Sequence, residues 1–186
     1  QMKKITIITP TYNRAKTLPK VFESLLNQSF KDFLWIILDD GSTDNTEKVV
    51  ENFQLLNPFF EIIYKKDKNR HKFLTVLEGV KMVKTPYFMV VDSDDIYPED
   101  ALETLISEVE KIENQDDYIA VMGLSADENG KIVGDKYPNN GFDGSIFEMR
   151  YKYKVRGDKF GIFITKTYQR EISGKDFSQY EGKGYI

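Results

Sequence analysis

Short β-rich segments alternate with helical segments along the first 124 residues, and this alternation limits the possible fold more than any other feature. Continuous apolar runs predict five strands, at residues 4–9, 33–38, 60–64, 87–91 and 118–124. The segments between them repeat apolar residues at helical spacing, as residues 18–26 do. Strands that alternate with helices in this way predict a mostly parallel sheet with helices on both faces, which is a Rossmann-like α/β fold.

The alternation stops after about residue 124. Asn129-Gly130 predicts a hairpin turn, and the segments 145–153 and 160–165 predict a short helix and a strand. We therefore divide the chain into an α/β half, residues 1–124, and a loop-rich C-terminal extension of the same domain, residues 125–186. Because the chain stops in Glu181-Gly182-Lys183-Gly184-Tyr185-Ile186, with no helix to close the domain, we expect this extension to be truncated.

Composition excludes several classes of protein. The chain has no cysteine, so it has no disulfides, thiolate zinc sites or cysteine nucleophile, and a single histidine, His71, leaves little scope for a Ser-His-Asp triad. A net charge of −4 argues against a basic nucleic-acid binder, so we expect no nucleic-acid partner. No apolar run reaches the length of about 18 residues that a transmembrane helix needs. The expected location is cytoplasmic.

Positive charge is concentrated in two stretches. Residues 65–72 and 150–159 each contain five basic residues and one acid, so the rest of the chain is strongly acidic. Such stretches are most often solvated surface, and the alternative is contact with phosphate groups or with an anionic membrane. In the second stretch Tyr151 and Tyr153 alternate with lysines, which fits either a solvated segment or an acceptor or membrane contact. Peripheral binding at the inner face of the cell membrane is thus the second prediction for location.

Three polar clusters follow predicted strands, at residues 9–14, 39–42 and 92–95. In open parallel sheets, ligands bind beyond the carboxyl ends of the strands. One such cluster is ordinary turn chemistry, but three at one edge bring five carboxylates together, and crowded carboxylates need a cation. Carboxylate oxygens suit Mg²⁺ or Mn²⁺. Since the dinucleotide and P-loop glycine motifs are both absent, hydride transfer and P-loop phosphoryl transfer are excluded.

Four segments in this order resemble the family 2 glycosyltransferases, which use nucleotide-diphosphate sugars and have the GT-A fold. The segments are Ile7-Ile8-Thr9-Pro10-Thr11-Tyr12-Asn13-Arg14, Leu25-Leu26-Asn27-Gln28-Ser29-Phe30, Ile37-Leu38-Asp39-Asp40-Gly41-Ser42-Thr43-Asp44 and Val90-Val91-Asp92-Ser93-Asp94-Asp95. The resemblance covers residues 4 to about 110. It implies transfer from a UDP-sugar to a glycan or lipid-linked acceptor in cell-surface polysaccharide synthesis, such as capsule synthesis, with inversion and with a divalent metal.

The resemblance also implies which residues bind the nucleotide. Thr9 and Pro10 would line the nucleotide pocket, and Tyr12 would stack on the base. Asp40 would accept a hydrogen bond from the imide N–H of uracil. Arg14 would approach the diphosphate.

The Asp-x-Asp pair after the fourth strand is expected to serve the sugar and the metal. By resemblance, Asp92 would bind ribose or sugar hydroxyls, and Asp94 would coordinate Mn²⁺ or Mg²⁺. Asp95 would be a second metal ligand or would orient Asp94. Between strands three and four the sequence departs from the family pattern, and either Arg70 or Lys72 is an alternative ligand for the diphosphate.

The catalytic base has no clear match in this sequence. Inverting members of the family use an Asp or Glu that deprotonates the acceptor hydroxyl. Asp158, Asp176 and Glu181 are the nearby acids, and each is more simply read as a solvated surface residue. We therefore expect the base to lie beyond Ile186.

Two alternatives stay open on the sequence alone. A pseudo-enzyme would keep the nucleotide-sugar pocket without transfer. A sugar nucleotidyltransferase has a similar sheet, but it needs a glycine-rich basic loop after the first strand, which residues 11–14 are not.

Overall fold

The computed structural model describes residues 2–68, 70–127 and 129–180 and contains one six-stranded sheet. The strands are β1 Ile5–Thr11, β2 Phe33–Asp39, β3 Glu61–Lys66, β4 Tyr87–Val90, β5 Ala120–Leu124 and β6 Lys159–Ile164. Their order is β3-β2-β1-β4-β6-β5. The neighbours among β1–β4 are parallel, and β6 runs antiparallel to β4. The predicted mostly parallel α/β sheet is confirmed.

Five α-helices connect and cover these strands. They are α1 Leu18–Leu26, α2 Thr46–Leu56, α3 Lys72–Met82, α4 Ala101–Glu110 and α5 Thr165–Ile172. The short helix expected at residues 145–153 is a π-helical turn, Glu148–Lys152. The chain after residue 124 also contains α5, a helix that the sequence pattern did not predict. This helix has few apolar residues, and it packs through Tyr168, whose ring lies 5.1 Å from that of Phe88.

The sheet is buried on both faces because helices cover both, and all seven residues of β1 are buried. On one face, Phe22 of α1 stacks on Phe53 of α2 at a ring distance of 4.2 Å, and both lie next to Trp35 of β2. On the other face, Val80 of α3 packs in a cluster with residues of β1, β2 and β4, among them Phe88. Packing on both faces of the sheet holds β1, β2 and β4 in place, and so positions their carboxyl ends.

The chain forms two compact units. The first contains the residues up to 121 together with those from 162 onward, and the second contains residues 122–161. In the second unit, Asp127 closes the predicted hairpin turn by accepting hydrogen bonds from the N–H groups of Asn129 and Lys131, each at 2.9 Å. A bridge between Ala126 and Ile132 flanks this turn.

Candidate functional site

A cleft of about 370 Å³ lies in the first unit, where β1, β2 and β4 end. Because these strands are parallel, their carboxyl ends lie at one edge of the sheet. Ten residues line the cleft: Pro10, Thr11, Tyr12, Arg14, Asp40, His71, Lys72, Asp92, Ser93 and Asp94. The structure therefore brings together six of the eight residues that the sequence assigned to the nucleotide and metal. Thr9 and Asp95 are the other two.

The loop after β1 is held against the loop after β2 by Asn13, which adopts a positive φ of 53°. Its side-chain oxygen accepts hydrogen bonds from the N–H groups of Thr43 and Asp44, at 2.8 and 3.2 Å. Its own N–H donates to the Ser42 hydroxyl at 2.8 Å. Asn tolerates this backbone conformation better than most residues do. These hydrogen bonds between Asn13 and the loop after β2 therefore position Tyr12, which lines the cleft.

Tyr12 and Arg14 lie on either side of that residue. The Tyr12 side chain is 47% exposed and lines the cleft, so one face of its ring is available for stacking. The Arg14 backbone N–H donates to the Thr46 hydroxyl at 3.0 Å, which anchors the residue to the start of α2. Its guanidinium stays close to the cleft carboxylates.

Thr9 does not line the cleft, in contrast to the expectation from the resemblance. It is fully buried, and its hydroxyl accepts a hydrogen bond from the Trp35 indole N–H at 2.9 Å. The strand alternation explains this position: Thr9 pairs with Ile37, so Trp35 is its diagonal neighbour on the same face of the sheet. Thr9 therefore serves the core.

Thr11 belongs to the first polar cluster and lines the cleft, but it was not among the predicted site residues. It is 3% exposed, and within the described chain its hydroxyl has no hydrogen-bond partner. Buried hydroxyls are nearly always hydrogen-bonded. A polar group with this free capacity suits a bound polar ligand.

Asp40 links the end of β2 to the start of α3. One carboxylate oxygen, Oδ1, accepts hydrogen bonds from the Arg70 N–H at 2.7 Å and the Thr75 hydroxyl at 3.0 Å. The other, Oδ2, accepts from the His71 N–H at 3.0 Å. A carboxylate has about four lone-pair directions. Three donors therefore leave one acceptor direction, on Oδ2. Asp40 is only 7% exposed, but it lines the cleft, so this direction suits a ligand bound there.

The preceding carboxylate, Asp39, has a structural role. It is 2% exposed, and it accepts hydrogen bonds from the Ser42 N–H at 2.7 Å and from the Tyr64 hydroxyl. Burial and this hydrogen bond raise the pKa of Tyr64 well above its usual range. Of the Asp39-Asp40 pair, only Asp40 lines the cleft.

Two ion pairs cross the cleft. The Lys72 ammonium donates to Asp92 Oδ2, and an Arg14 guanidinium nitrogen lies 3.7 Å from Asp94 Oδ2. All four side chains are more than a third exposed, and exposed pairs of this kind contribute at most about 1 kcal/mol each. A ligand that offers its own charges can therefore replace either pair at low cost.

Asp95 is exposed and does not line the cleft. Its backbone N–H donates to the Asp92 carbonyl at 3.2 Å, which closes the turn that presents Asp92 and Asp94. The nearby Tyr97 is buried, and burial together with the charges of Asp95 and Asp92 raises its pKa well above the usual range.

The donor set of the cleft fits a divalent cation. In residues 2–68, 70–127 and 129–180, no three His, Asp or Glu side chains converge as a complete metal site. Mg²⁺, however, is usually held by one or two carboxylates together with substrate phosphates and water. Asp92 and Asp94 supply two such carboxylates at one wall of the cleft.

The two basic residues proposed for the diphosphate differ in position. Lys72 lines the cleft, whereas the Arg70 guanidinium pairs with Asp67 at 3.0 Å outside it. The structure therefore favours Lys72 for contact with a ligand in the cleft.

Of the three candidate bases, Asp176 lies in the first unit and does not line the cleft. Asp176 lines a separate cavity of about 260 Å³, and hydrogen bonds from the Ser178 N–H and hydroxyl lower its pKa, which weakens it as a base. Asp158 is exposed and belongs to the second unit. Glu181 lies outside the described residues.

No helix in the part of the chain that the structure describes is long and apolar enough to cross a membrane.

Comparisons with known proteins identify similar chains. The family model described as "Glycosyl transferase family 2" matches residues 6–175. The Campylobacter jejuni protein named GalNAc(5)-diNAcBac-PP-undecaprenol beta-1,3-glucosyltransferase is 27% identical over 183 residues, covering 95% of this chain and 56% of that protein. The chain spans only 22% to 56% of the length of the first curated relatives that it matches.

Two solved structures resemble the fold. S. aureus TarS 1-349 in complex with UDP-GlcNAc has a TM-score of 0.62 and 21% identity over 90% of this chain and 47% of that chain. The mannosyltransferase PcManGT from Pyrobaculum calidifontis, in complex with GDP-Man and Mn²⁺, has a TM-score of 0.63 and 17% identity over 95% of this chain and 48% of that chain. At these identities the likeness concerns the fold alone, and the predicted GT-A fold is confirmed.

Proposed function

Because this chain belongs to the family 2 glycosyltransferases, we propose that it binds a UDP-sugar in the cleft and transfers the sugar to a cell-surface glycan. The observation that carries the proposal is the cleft itself. It combines an exposed aromatic ring, two basic side chains and three carboxylates at the ends of parallel strands. The aromatic ring can stack on a base, and the two basic side chains can bind a diphosphate. The carboxylates can hold a metal and accept hydrogen bonds from sugar hydroxyls.

The nucleoside binds against Tyr12 and Asp40. The Tyr12 ring stacks on the base, and the remaining acceptor direction of Asp40 Oδ2 receives the imide N–H of uracil. Adenine and cytosine have a ring acceptor instead of this N–H, and the guanine N1–H lies farther from the ribose because guanine is a purine. A buried acceptor left without its donor costs about 1–3 kcal/mol, so UDP should bind roughly tenfold or more tightly than GDP.

The diphosphate binds Arg14 and Lys72, which leave their present carboxylate partners. Asp94 then holds Mn²⁺ or Mg²⁺, and Asp92 accepts hydrogen bonds from ribose or sugar hydroxyls. Asp95 orients Asp94 through the turn that both residues share. A divalent ion at Asp94 would neutralise the charge that develops on the departing nucleoside diphosphate. PcManGT, whose structure contains Mn²⁺, supports this use of a metal.

The acceptor is a glycan or a lipid-linked saccharide of the cell surface. The name of the Campylobacter relative gives an acceptor on -PP-undecaprenol, which supports a lipid-linked class and a site of action at the inner face of the membrane. Transfer inverts the anomeric carbon, and a carboxylate takes the acceptor proton. Asp176 is a poor candidate for this base because its pKa is lowered and it faces a different cavity.

Nucleotide selectivity tests the proposal. Calorimetric titration of UDP, GDP, ADP and CDP in the presence of Mn²⁺ should give the tightest binding for UDP. In Asp40→Asn, where an amide replaces one carboxylate oxygen, the preference for UDP over GDP should shrink. If GDP binds as tightly as UDP to the unaltered chain, the UDP assignment is wrong. Binding of UDP-sugars without any release of UDP, in the presence or absence of a glycan acceptor, would favour the pseudo-enzyme.

A further inference from the structure

An exposed apolar surface occupies the π-helical turn of the second unit. Ile146, Phe147 and Tyr151 are 68%, 70% and 73% exposed. The Phe147 and Tyr151 rings stack at 6.1 Å, so they face the same way. Tyr153, 41% exposed, follows them. Large side chains exposed next to each other in this way mark a binding surface more often than isolated apolar residues do.

Basic residues are interleaved with these rings. Arg150, Lys152 and Lys154 alternate with the two tyrosines and are all exposed. The Lys152 ammonium lies 5.0 Å above the Tyr153 ring and 3.8 Å from Glu148. Residues 146–154 carry a net charge of +2 in a chain whose total is −4. We call residues 146–154 the aromatic–basic surface.

Hydrogen bonds within the second unit hold the backbone that carries this surface. The Val155 N–H donates to the Met149 carbonyl at 2.9 Å, and Val155 is buried. The Asp135 N–H donates to the Arg156 carbonyl, and Asp135 accepts from the Arg156 N–H, both at 2.9 Å. These hydrogen bonds fix the conformation of the backbone on both sides of Val155, next to the surface.

We propose that the aromatic–basic surface docks this protein on an anionic lipid membrane. Aromatic side chains favour the interface between headgroups and acyl chains, and lysines and arginines are attracted to anionic headgroups. The other basic stretch is less suitable, because Lys66, Arg70 and Lys72 all pair with acids. In the aromatic–basic surface, Lys152 pairs with Glu148, and Arg150 and Lys154 are exposed. This inference deepens the proposed function by giving the surface that brings the chain to a lipid-linked acceptor, but it needs no sugar transfer to be tested.

Vesicle sedimentation tests the proposal. The unaltered chain should sediment with phosphatidylcholine vesicles that contain about 30% phosphatidylglycerol, and much less with phosphatidylcholine alone. Binding should fall as salt rises from about 0.05 M to about 0.5 M, since salt screens the attraction. Each basic residue near an anionic surface adds roughly fivefold in affinity. The triple variant Arg150→Gln, Lys152→Gln, Lys154→Gln should therefore bind roughly 100-fold more weakly.

A second variant and a charge-matched control complete the test. Phe147→Ser with Tyr151→Ser should also lose vesicle binding. The triple variant Lys20→Gln, Lys48→Gln, Lys84→Gln removes the same charge from exposed lysines of the first unit, and it should bind as the unaltered chain does. UDP affinity should be the same in all variants, which separates failure of this inference from failure of the proposed function.

Three results would overturn the inference. The first is no binding to anionic vesicles. The second is an equal loss of binding in the control variant. The third is a dimer, seen by analytical ultracentrifugation, that Phe147→Ser with Tyr151→Ser abolishes, because a second copy of the chain would then cover the surface.

Discussion

Replacing Asp40 by alanine should destabilise the protein as well as alter nucleotide binding. The carboxylate accepts hydrogen bonds from two backbone N–H groups and from the Thr75 hydroxyl. One of these N–H groups belongs to His71, whose φ of 76° is unusual for a residue other than glycine. Asp40→Ala leaves all three donors without this partner at the start of α3.

The size of the effect follows from these contacts. Loss of one capping side chain costs about 0.5–2 kcal/mol. Asp40 is almost fully buried and receives three donors, so we expect a loss of about 2–3 kcal/mol in the free energy of unfolding. For a chain of this length, that lowers Tm by roughly 4–12 °C.

Thermal and urea denaturation followed by circular dichroism measure this loss. Thr75→Val is the matched control, because it removes only one of the three hydrogen bonds and should cost about 1 kcal/mol. If Asp40→Ala unfolds within about 0.5 kcal/mol of the unaltered chain, Asp40 does not organise the junction between β2 and α3.

Three further effects should be measurable. Trp35→Phe should cost about 1–3 kcal/mol in denaturant unfolding, because the buried Thr9 hydroxyl loses its donor, and adding Thr9→Val should recover part of the loss. Gly157→Ala should cost about 2–4 kcal/mol, since φ is 88° and the added Cβ would lie 2.5 Å from the Gly134 Cα, whereas Gly141→Ala, at φ 75° in open space, should cost less. Because burial raises the pKa of Tyr97 above its ordinary value of 10.0, the stability it contributes should be present below that pH and be lost as pH rises above it. Alkaline titration of tyrosinate absorbance should show one more group that ionises only on unfolding in the unaltered chain than in Tyr97→Phe, which keeps Tyr64.

Much of the fold could be predicted because the central strands are apolar along their whole length. A strand buried on both faces, such as β1, appears in the sequence as a short continuous run of apolar residues. Helix α5 could not be predicted in the same way, since its packing depends on Tyr168 and on the Gln169 amide, which donates to the Val80 and Val83 carbonyls. Those contacts join distant parts of the chain, and α5 contains too few apolar residues to be recognised from the sequence as a helix that packs on the core.

The place of the site could be predicted because polar residues that follow parallel strands lie at one edge. The detailed role of each residue depends on its neighbours in the folded chain. Thr9 and Thr11 lie on the same face of β1, but Thr9 contacts Trp35 in the core, whereas Thr11 is the last residue of the strand and reaches the cleft. Likewise, Lys72 lines the cleft and Arg70 does not, although both belong to the same basic stretch.

Metal-dependent binding of UDP tests the central claim most directly. UDP is titrated by calorimetry into the unaltered chain, Asp94→Asn and Glu51→Gln, an exposed acid on α2, each with Mn²⁺ and with a chelator. If a metal at Asp94 holds the diphosphate, UDP binds tightly only with Mn²⁺. Its affinity is unchanged in Glu51→Gln and at least about tenfold weaker in Asp94→Asn, which corresponds to about 1.4 kcal/mol. Equal affinity for UDP in all six titrations would show that no metal takes part in binding.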